Sequence, residues 1–277
     1  MIVEFRIALP IDYKDVDIAY HYMICKAVEE VTGGGEGCDW ADHKKITLSD
    51  PTTYETPIHK FHTTVHEAFY EYKKYSVMAM CPAFAKKILP KEDLVMDEET
   101  IMADHYSQSI NTLSCFEDNK FKIYCETKFI NKNDAIDNVF DLTEKELNDR
   151  TVFTYDLFKN TKLRKICDMS TFHSEKKNIG PFQENWIETT PNICYFCRVL
   201  KVDVNIFGIG QIICAFFKKQ QEVFNQQICL QMLQYMDEWS DMTMNDMENY
   251  EENVRKELKQ LIHQDKKENI FMDSINV

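Results

Sequence analysis

Glycine and proline are scarce in this chain, with seven of each in 277 residues, and basic side chains are outnumbered, 32 Lys and Arg against 46 Asp and Glu. The formal charge of −14 excludes a nucleic-acid binder, because neutralising phosphates needs clustered Lys and Arg, and it confines any contact with an anionic membrane to a local patch. No stretch approaches about eighteen uninterrupted apolar residues. The N-terminus opens on a strand-like pattern holding Glu4 and Arg6 rather than on a basic region followed by an apolar run, so a soluble, unsecreted protein is expected. Ten cysteines at scattered spacing fit reduced thiols in the cytosol. The one Cys-x-x-Cys, Cys194 to Cys197, lies in an apolar run without a second pair to complete a zinc site, and buried thiols are expected there.

What is present is an apolar fraction of 44% with 12% aromatics, ample for a substantial core in one large domain or two small ones. Four of the seven glycines fall in Gly33-Gly34-Gly35-Glu36-Gly37. No Lys-Ser or Lys-Thr follows, and the spacing is not that of a dinucleotide fingerprint, so the window is expected to be a tight turn after a helix, where positive φ is needed.

The run Val3 to Pro10 has strand character, and Val16 to Val28 has helical periodicity. Trp40 to Pro57 is polar and turn-rich and is expected to be irregular. Strands are expected in Tyr70–Met80, Ser107–Ser114, Phe121–Ile130, Thr151–Asp156 and Cys194–Phe207, with a short helix bracketed by Pro82 and Pro90. Two long amphipathic helices close the chain. One runs from about Gln211 to Tyr235 with Ile212, Phe216, Val223, Phe224, Ile228 and Leu230 to Leu233 as its apolar stripe, and the other starts near Asp241 and carries Met244, Met247, Val254, Leu258, Leu261 and Ile262. The order predicts an α+β fold with helices on one side of an antiparallel sheet, and nothing marks a domain boundary.

His59, His62 and His66, with Glu67 beside the last, would share one face of a helix and invite a metal; the alternative is an exposed polar segment. Nothing resembles a nucleophile elbow, and carboxylate pairs in Asp97-Glu98-Glu99 and Glu251-Glu252 sit in charged runs that indicate a solvated face. Ile206-Phe207-Gly208-Ile209 puts apolar residues where a loop tip is ordinarily polar, either for docking or as a strand end tucked inward.

Taken in order, Glu4 to Pro10, Thr32-Gly33-Gly34-Gly35-Glu36-Gly37, Pro82 to Pro90, Gly180-Pro181 with Asn185-Trp186, and Trp239 to Met244 resemble the phosphatidylinositol transfer protein family, over nearly the whole chain. An insertion spans roughly Asp39 to Glu67 and contains the histidines. The resemblance implies a concave antiparallel sheet wrapped with long helices around a single lipid cavity, the helix-grip fold of StAR-related lipid carriers, formed by residues 1–277 as one domain. A two-chain lipid has on the order of 30 methylenes, whose exposure would cost ~25 kcal/mol at ~0.8 kcal/mol each, so transfer needs an enclosed apolar site. The 13 Met and 18 Phe suit such a lining.

The resemblance also implies headgroup residues. Lys73 aligns with the family lysine that contacts inositol, and Glu71 stands where the family has threonine. Thr127 matches a threonine that holds the lipid phosphate. Arg198 replaces a phosphate-binding lysine, retaining the charge and adding a bidentate fork. Glu252 falls on a helix glutamate that accepts from inositol hydroxyls, Asp104 on an asparagine, and Asn111 and Tyr20 on a threonine and a glutamine. The carboxylates of Glu71, Asp104 and Glu252 disfavour an anionic lipid unless Lys73 or a proton compensates, and they leave a choline headgroup comfortable. Ile206 and Phe207 stand where two family tryptophans enter the bilayer, and the stripe from Met244 to Ile262 is the lid.

These readings predict a cytoplasmic, non-enzymatic monomer with no cofactor besides its phospholipid cargo, which it exchanges during transient membrane contact. A lipid sensor that presents cargo to a kinase, and a metal-dependent hydrolase built on the three histidines, are the competing expectations.

Overall fold

The computed structural model describes residues 1–48, 53–56, 59–63, 65–76, 94–116, 120–134, 136–208 and 210–264. The expected helix Pro82–Pro90 and residues 77–80 of an expected strand lie outside the described residues.

Eight strands form one sheet in the order β2-β5-β6-β7-β8-β10-β1-β9. They are β1 (Ile2–Leu9), β2 (Cys38–Thr47), β5 (Glu67–Ser76), β6 (Val95–Ala103), β7 (Tyr106–Leu113), β8 (Phe121–Asn131), β9 (Arg150–Tyr155) and β10 (Cys194–Val204). Neighbours are antiparallel except β1 and β9, which run parallel, a departure from the expected antiparallel sheet. A two-stranded hairpin, β3 (Tyr54–Glu55) with β4 (Lys60–Phe61), stands apart. The helices are α1 (Val16–Val31), α2 (Glu144–Asp149), α3 (Trp186–Thr189), α4 (Gly210–Gln234), α5 (Met236–Trp239) and α6 (Met244–Leu261).

Period-two alternation sorts the sheet into two faces. Ile7 and Leu9 of β1 lie opposite Phe196 and Cys194 of β10, and all four join the core shared with Tyr20 and Met23 of α1, Leu230 of α4 and Met247 of α6. This inner face is the one the long helices cover. Burying Leu9 or Phe196 contributes ~1.5–3 kcal/mol each. On the opposite face, Cys197 and Val199 pack under Phe140 and Leu142, and Phe61 of the β3–β4 hairpin packs on Ala68, Ile101 and Ile110. Cys194 and Cys197 thus point to opposite faces as buried, free thiols and share no site.

Two strands run through segments that the sequence marks as irregular or solvated. β2 occupies much of the expected irregular stretch, and β6 carries Asp97-Glu98-Glu99; Glu99 is fully buried. The reason is partnership across the sheet: Glu99 accepts from Tyr70 Oη at 2.5 Å and from Thr56 Oγ1 at 2.8 Å and sits 2.6 Å from His59 Nδ1. His59 is therefore buried beneath the hairpin while His62 and His66 are exposed, and none of the three lies on a helix, so the face expected for a metal does not form.

Helix α4 has two regimes. Asn225 to Leu233 are all buried, whereas from Gly210 to Phe224 only Ile213 is. Ile212, expected in the buried stripe, is 53% exposed because Ile213 is the residue that meets the sheet, in a cluster with Val3, Phe121 and Val202.

The glycine window ends α1 and closes on α6. Gly34 N–H donates to the carbonyl of Gln264 at 2.6 Å and Gly35 N–H to that of Ile262 at 2.8 Å, satisfying carbonyls that a helix end leaves without partners. Gly37 has φ +126°, and a Cβ there would lie 2.4 Å from Thr32 Cα, so only glycine fits.

Candidate functional site

The inner face carries an oblique band of polar side chains. Register sets Arg198 of β10 beside Thr127 of β8 and Thr127 beside Ser107 of β7. One step further along the strands, Cys125, Ser109, Thr100 and Glu71 line up, and then Asn111, Glu98 and Lys73. Apolar residues flank the band, Phe129 and Phe196 on one side and Leu113, Phe121 and Val202 on the other.

At one end Arg198, 6% exposed, donates from Nε to Thr127 Oγ1 at 2.9 Å, from Nη1 to Asn225 Oδ1 at 2.9 Å and from Nη2 to Tyr20 Oη at 2.7 Å. Strand, strand and two helices thereby converge on one guanidinium. All three partners are neutral, and among the described residues no carboxylate lies within 4.0 Å of it. A buried cation so placed is poised for an oxyanion.

At the other end Lys73 and Glu71, 2% and 1% exposed, form a buried ion pair, and Lys73 Nζ stands 4.1 Å above the Trp40 ring. His43 Nδ1 is 3.3 Å from Glu71 Oε1. Burial alone would raise the Glu71 carboxyl, but the Lys73 charge and the contact with His43 hold it below the usual carboxylate range. The Lys73 ammonium, which burial would lower, is raised by Glu71 and Glu98. A bulge between Trp40 and Asp42 lets both Trp40 and His43, three residues apart, face inward.

Helix α6 contributes Glu251, 3% exposed, whose Oε1 is 2.7 Å from His21 Nδ1 on α1. Burial would lower the imidazole pKa of His21, and the hydrogen bond and charge of Glu251 raise it instead. Met247, Glu251, Val254 and Leu258 make up the buried stripe of α6. Its N-terminus is fixed by a capping box between Thr243 and Asp246.

Tyr75, Glu98 and Cys125 on the inner face retain accessible surface, yet burial is the largest cause raising the pKa of each. Elsewhere, depressions of about 430 Å³ beside Phe182 and Trp186 and about 410 Å³ beside Tyr13 and Lys132 contain none of the expected site residues.

A sequence profile described as phosphatidylinositol transfer protein matches residues 1–256. The chain belongs to that family. It is 26% identical over 270 residues to phosphatidylinositol transfer protein 1 of Dictyostelium discoideum, covering 95% of this chain and 96% of that one. It is likewise 26% identical to cytoplasmic phosphatidylinositol transfer protein 1 of Drosophila melanogaster, over 95% of this chain and 92% of that one, and to the beta isoform of Mus musculus, over 93% of each.

Within this phosphatidylinositol transfer protein fold, six of the expected headgroup residues, Tyr20, Glu71, Lys73, Asn111, Thr127 and Arg198, are buried on or over the inner face. Two are not. Asp104 is exposed in the turn between β6 and β7, and Glu252 is exposed on α6, paired with Lys256 at 2.7 Å. The helical rotation of 100° per residue that turns Glu252 outward turns Glu251 inward. Asn225, His21, His43, Glu98 and Glu251 were missed; the period of Met247, Val254 and Leu258 contains Glu251 and is the one signal that points to it.

At the far end Phe207 is fully exposed between β10 and α4, with exposed Ile212 nearby in sequence, while Ile206 is half-buried against the cluster of Val3 and Phe121. The expected pair divides, Ile206 inward and Phe207 outward. Among the described residues no helix is long and apolar enough to cross a membrane.

Proposed function

We propose that this chain binds one phospholipid, phosphatidylinositol or phosphatidylcholine, between its sheet and its long helices and exchanges it between membranes. The observation that carries the reading is Arg198, a buried guanidinium held by Thr127, Asn225 and Tyr20 and, among the described residues, contacted by no carboxylate. A phosphodiester supplies the missing charge and is common to both lipids, so Arg198 and Thr127 anchor either one. The acyl chains lie under the loosely covered first half of α4, where Phe153, Tyr155, Phe217 and Val223 are half-buried and apolar. Lys73 and Asn111 face the headgroup, and Glu71 restrains Lys73 in a way that favours choline over an anionic group.

Phe207 is the docking tip. An aromatic ring fully in water gains by entering the bilayer interface, and contact limited to one loop is readily reversed. No bond is made or broken, the protein acts as a single-domain monomer in the cytoplasm, and the bound lipid is its only cargo. The test is transfer of labelled phosphatidylinositol and phosphatidylcholine from donor to acceptor vesicles by purified protein, together with mass spectrometry of lipid that co-purifies. Transfer of either lipid supports the reading; an absence of both transfer and bound phospholipid removes it.

A further inference from the structure

The two ends of the polar band are opposite in charge. Around Lys73 the carboxylates outnumber the cations: Glu71 contacts it, Glu98 is its strand partner, and Glu251 lies close enough to Glu71 to share a site. One ring nitrogen of His43 and one carboxylate oxygen each of Glu71 and Glu251 all lie within 4.8 Å of one another. His21 adjoins Glu251, and Cys25, the next residue on that face of α1, is near enough for the charges of Glu251 and Glu71 to act on its buried thiol.

We propose that His43, Glu71 and Glu251 bind one divalent transition-metal ion of the zinc class, with His21 positioning the Glu251 carboxylate. Three observations converge on this. The donors are one imidazole and two carboxylates, a nitrogen and oxygen set suited to zinc, whereas calcium takes six to eight oxygens and magnesium an octahedron of them. Glu71, Glu98 and Glu251 face the ammonium of Lys73, with the Arg255 guanidinium 5.7 Å from the Trp40 ring as the further cation, and a dication offsets the negative charge that remains. A tetrahedral ion with bonds of about 2.0–2.2 Å needs ligand atoms about 3.3–3.6 Å apart, a contraction that side-chain torsions provide from the present spacing. Lys73 contacts Oε2 of Glu71 whereas His43 approaches Oε1, so an ion held at Oε1 leaves the Lys73 contact in place.

The ligands come from β2, β5 and α6, so the ion completes its coordination only while α6 lies over the sheet. Three protein ligands leave one position of a tetrahedron for water or an oxygen of a bound molecule. The site stands independently of the lipid reading, since the metal is measured without lipid.

The test uses the full chain freed of metal with a chelator, titrated with zinc and, separately, with cobalt(II). We expect one equivalent of zinc and the intense visible absorption of four-coordinate cobalt. His43→Ala and Glu251→Gln should each abolish stoichiometric binding. Glu252→Gln, one residue along on the exposed face, should leave it intact, and His21→Ala should weaken it ~10- to 100-fold as loss of a supporting partner does. Absence of an equivalent of zinc overturns the proposal, and so does binding that persists in both His43→Ala and Glu251→Gln, which would mark surface histidines. Circular dichroism checks that each variant folds; should the variants fail to fold, the cobalt spectrum of the unaltered chain decides, with a six-coordinate spectrum counting against the site. Lipid transfer by the chelated protein is scored separately, so a failed metal site and a failed lipid reading leave different signatures.

Discussion

Arg198 Nη2 donates to the Tyr20 hydroxyl at 2.7 Å, joining the middle of β10 to the buried side of α1 through a cation that no carboxylate touches among the described residues. Replacing Arg198 with Met keeps the bulk and deletes the charge. A charge-assisted hydrogen bond contributes ~1.5–3 kcal/mol, so co-purifying phospholipid should fall ~10- to 100-fold whatever its headgroup, as read by lipid mass spectrometry. Lys73→Ala should reduce phosphatidylinositol loading more than phosphatidylcholine loading. Equal losses of the two lipids in Lys73→Ala would place that lysine away from the headgroup.

Phe207→Asp should slow transfer between vesicles while leaving the amount of bound lipid unchanged, because the charge opposes entry at the interface and the side chain is fully exposed. Transfer rate and lipid content measured on one preparation separate the two effects. An unaltered rate would show that Phe207 does not meet the membrane.

Glu251→Gln and Glu252→Gln make a matched pair. In the presence of chelator, the first should lower stability by ~1–3 kcal/mol through loss of a buried charge-assisted contact with His21, and the second should leave it nearly unchanged because its partner Lys256 is solvated. Urea unfolding midpoints at neutral pH provide the comparison.

Acid should reach Glu99 late. Burial would raise its carboxyl, but His59, Tyr70 and Thr56 together hold its pKa below 4.5. A folded pKa lower than the unfolded one means that the contribution to stability is complete above the unfolded value and disappears as pH falls through the folded one. Glu99→Gln should therefore be less stable than the parent at pH 7, and the gap between their urea midpoints should narrow below about pH 4.5. A gap independent of pH would assign the effect to packing.

Gly37→Ala and Gly35→Ala should differ. The Cβ at position 37 meets Thr32 Cα at 2.4 Å, whereas at position 35 nothing lies within 4 Å and only the φ of +80° is unfavourable. Backbone strain of that kind costs ~1–3 kcal/mol, so Gly35→Ala should be tolerated and Gly37→Ala should unfold more readily or fail to accumulate. Thermal melts of both variants give the ranking.

Much of the architecture was legible from periodicity. β1, β7, β8, β9, β10, α1, α4 and α6 stand within a few residues of the expected spans, most of them because apolar residues recur at the period of the element, whereas β7 carries Ser107, Ser109 and Asn111 on its inner face. β2 and β6 were not legible, for a common reason. Their inward and outward faces are both polar, so no hydrophobic alternation separates Glu98, turned toward Lys73, from Glu99, turned toward His59. The rule that a charge run marks a solvated face fails where a carboxylate has a buried partner on another element, as Glu99 has in Tyr70 and His59. The Arg198 cluster was half visible: Tyr20, Thr127 and Arg198 came from family resemblance, while Asn225 lay in a helical stretch with nothing to set it apart from Gln226 and Gln227. His43 escaped notice because a bulge, unreadable from composition, turns it inward.

The bonds from Gly34 and Gly35 to the end of α6 are between main-chain atoms alone. Such a clasp is blind to acidity, phosphorylation and redox state, and with a net worth of ~0.5–1.5 kcal/mol per bond it yields to thermal motion unaided. The firmer hold on α6 is its buried stripe of Met247, Glu251, Val254 and Leu258, and deuterium uptake at those two glycine amides is a label-free report on the weaker one.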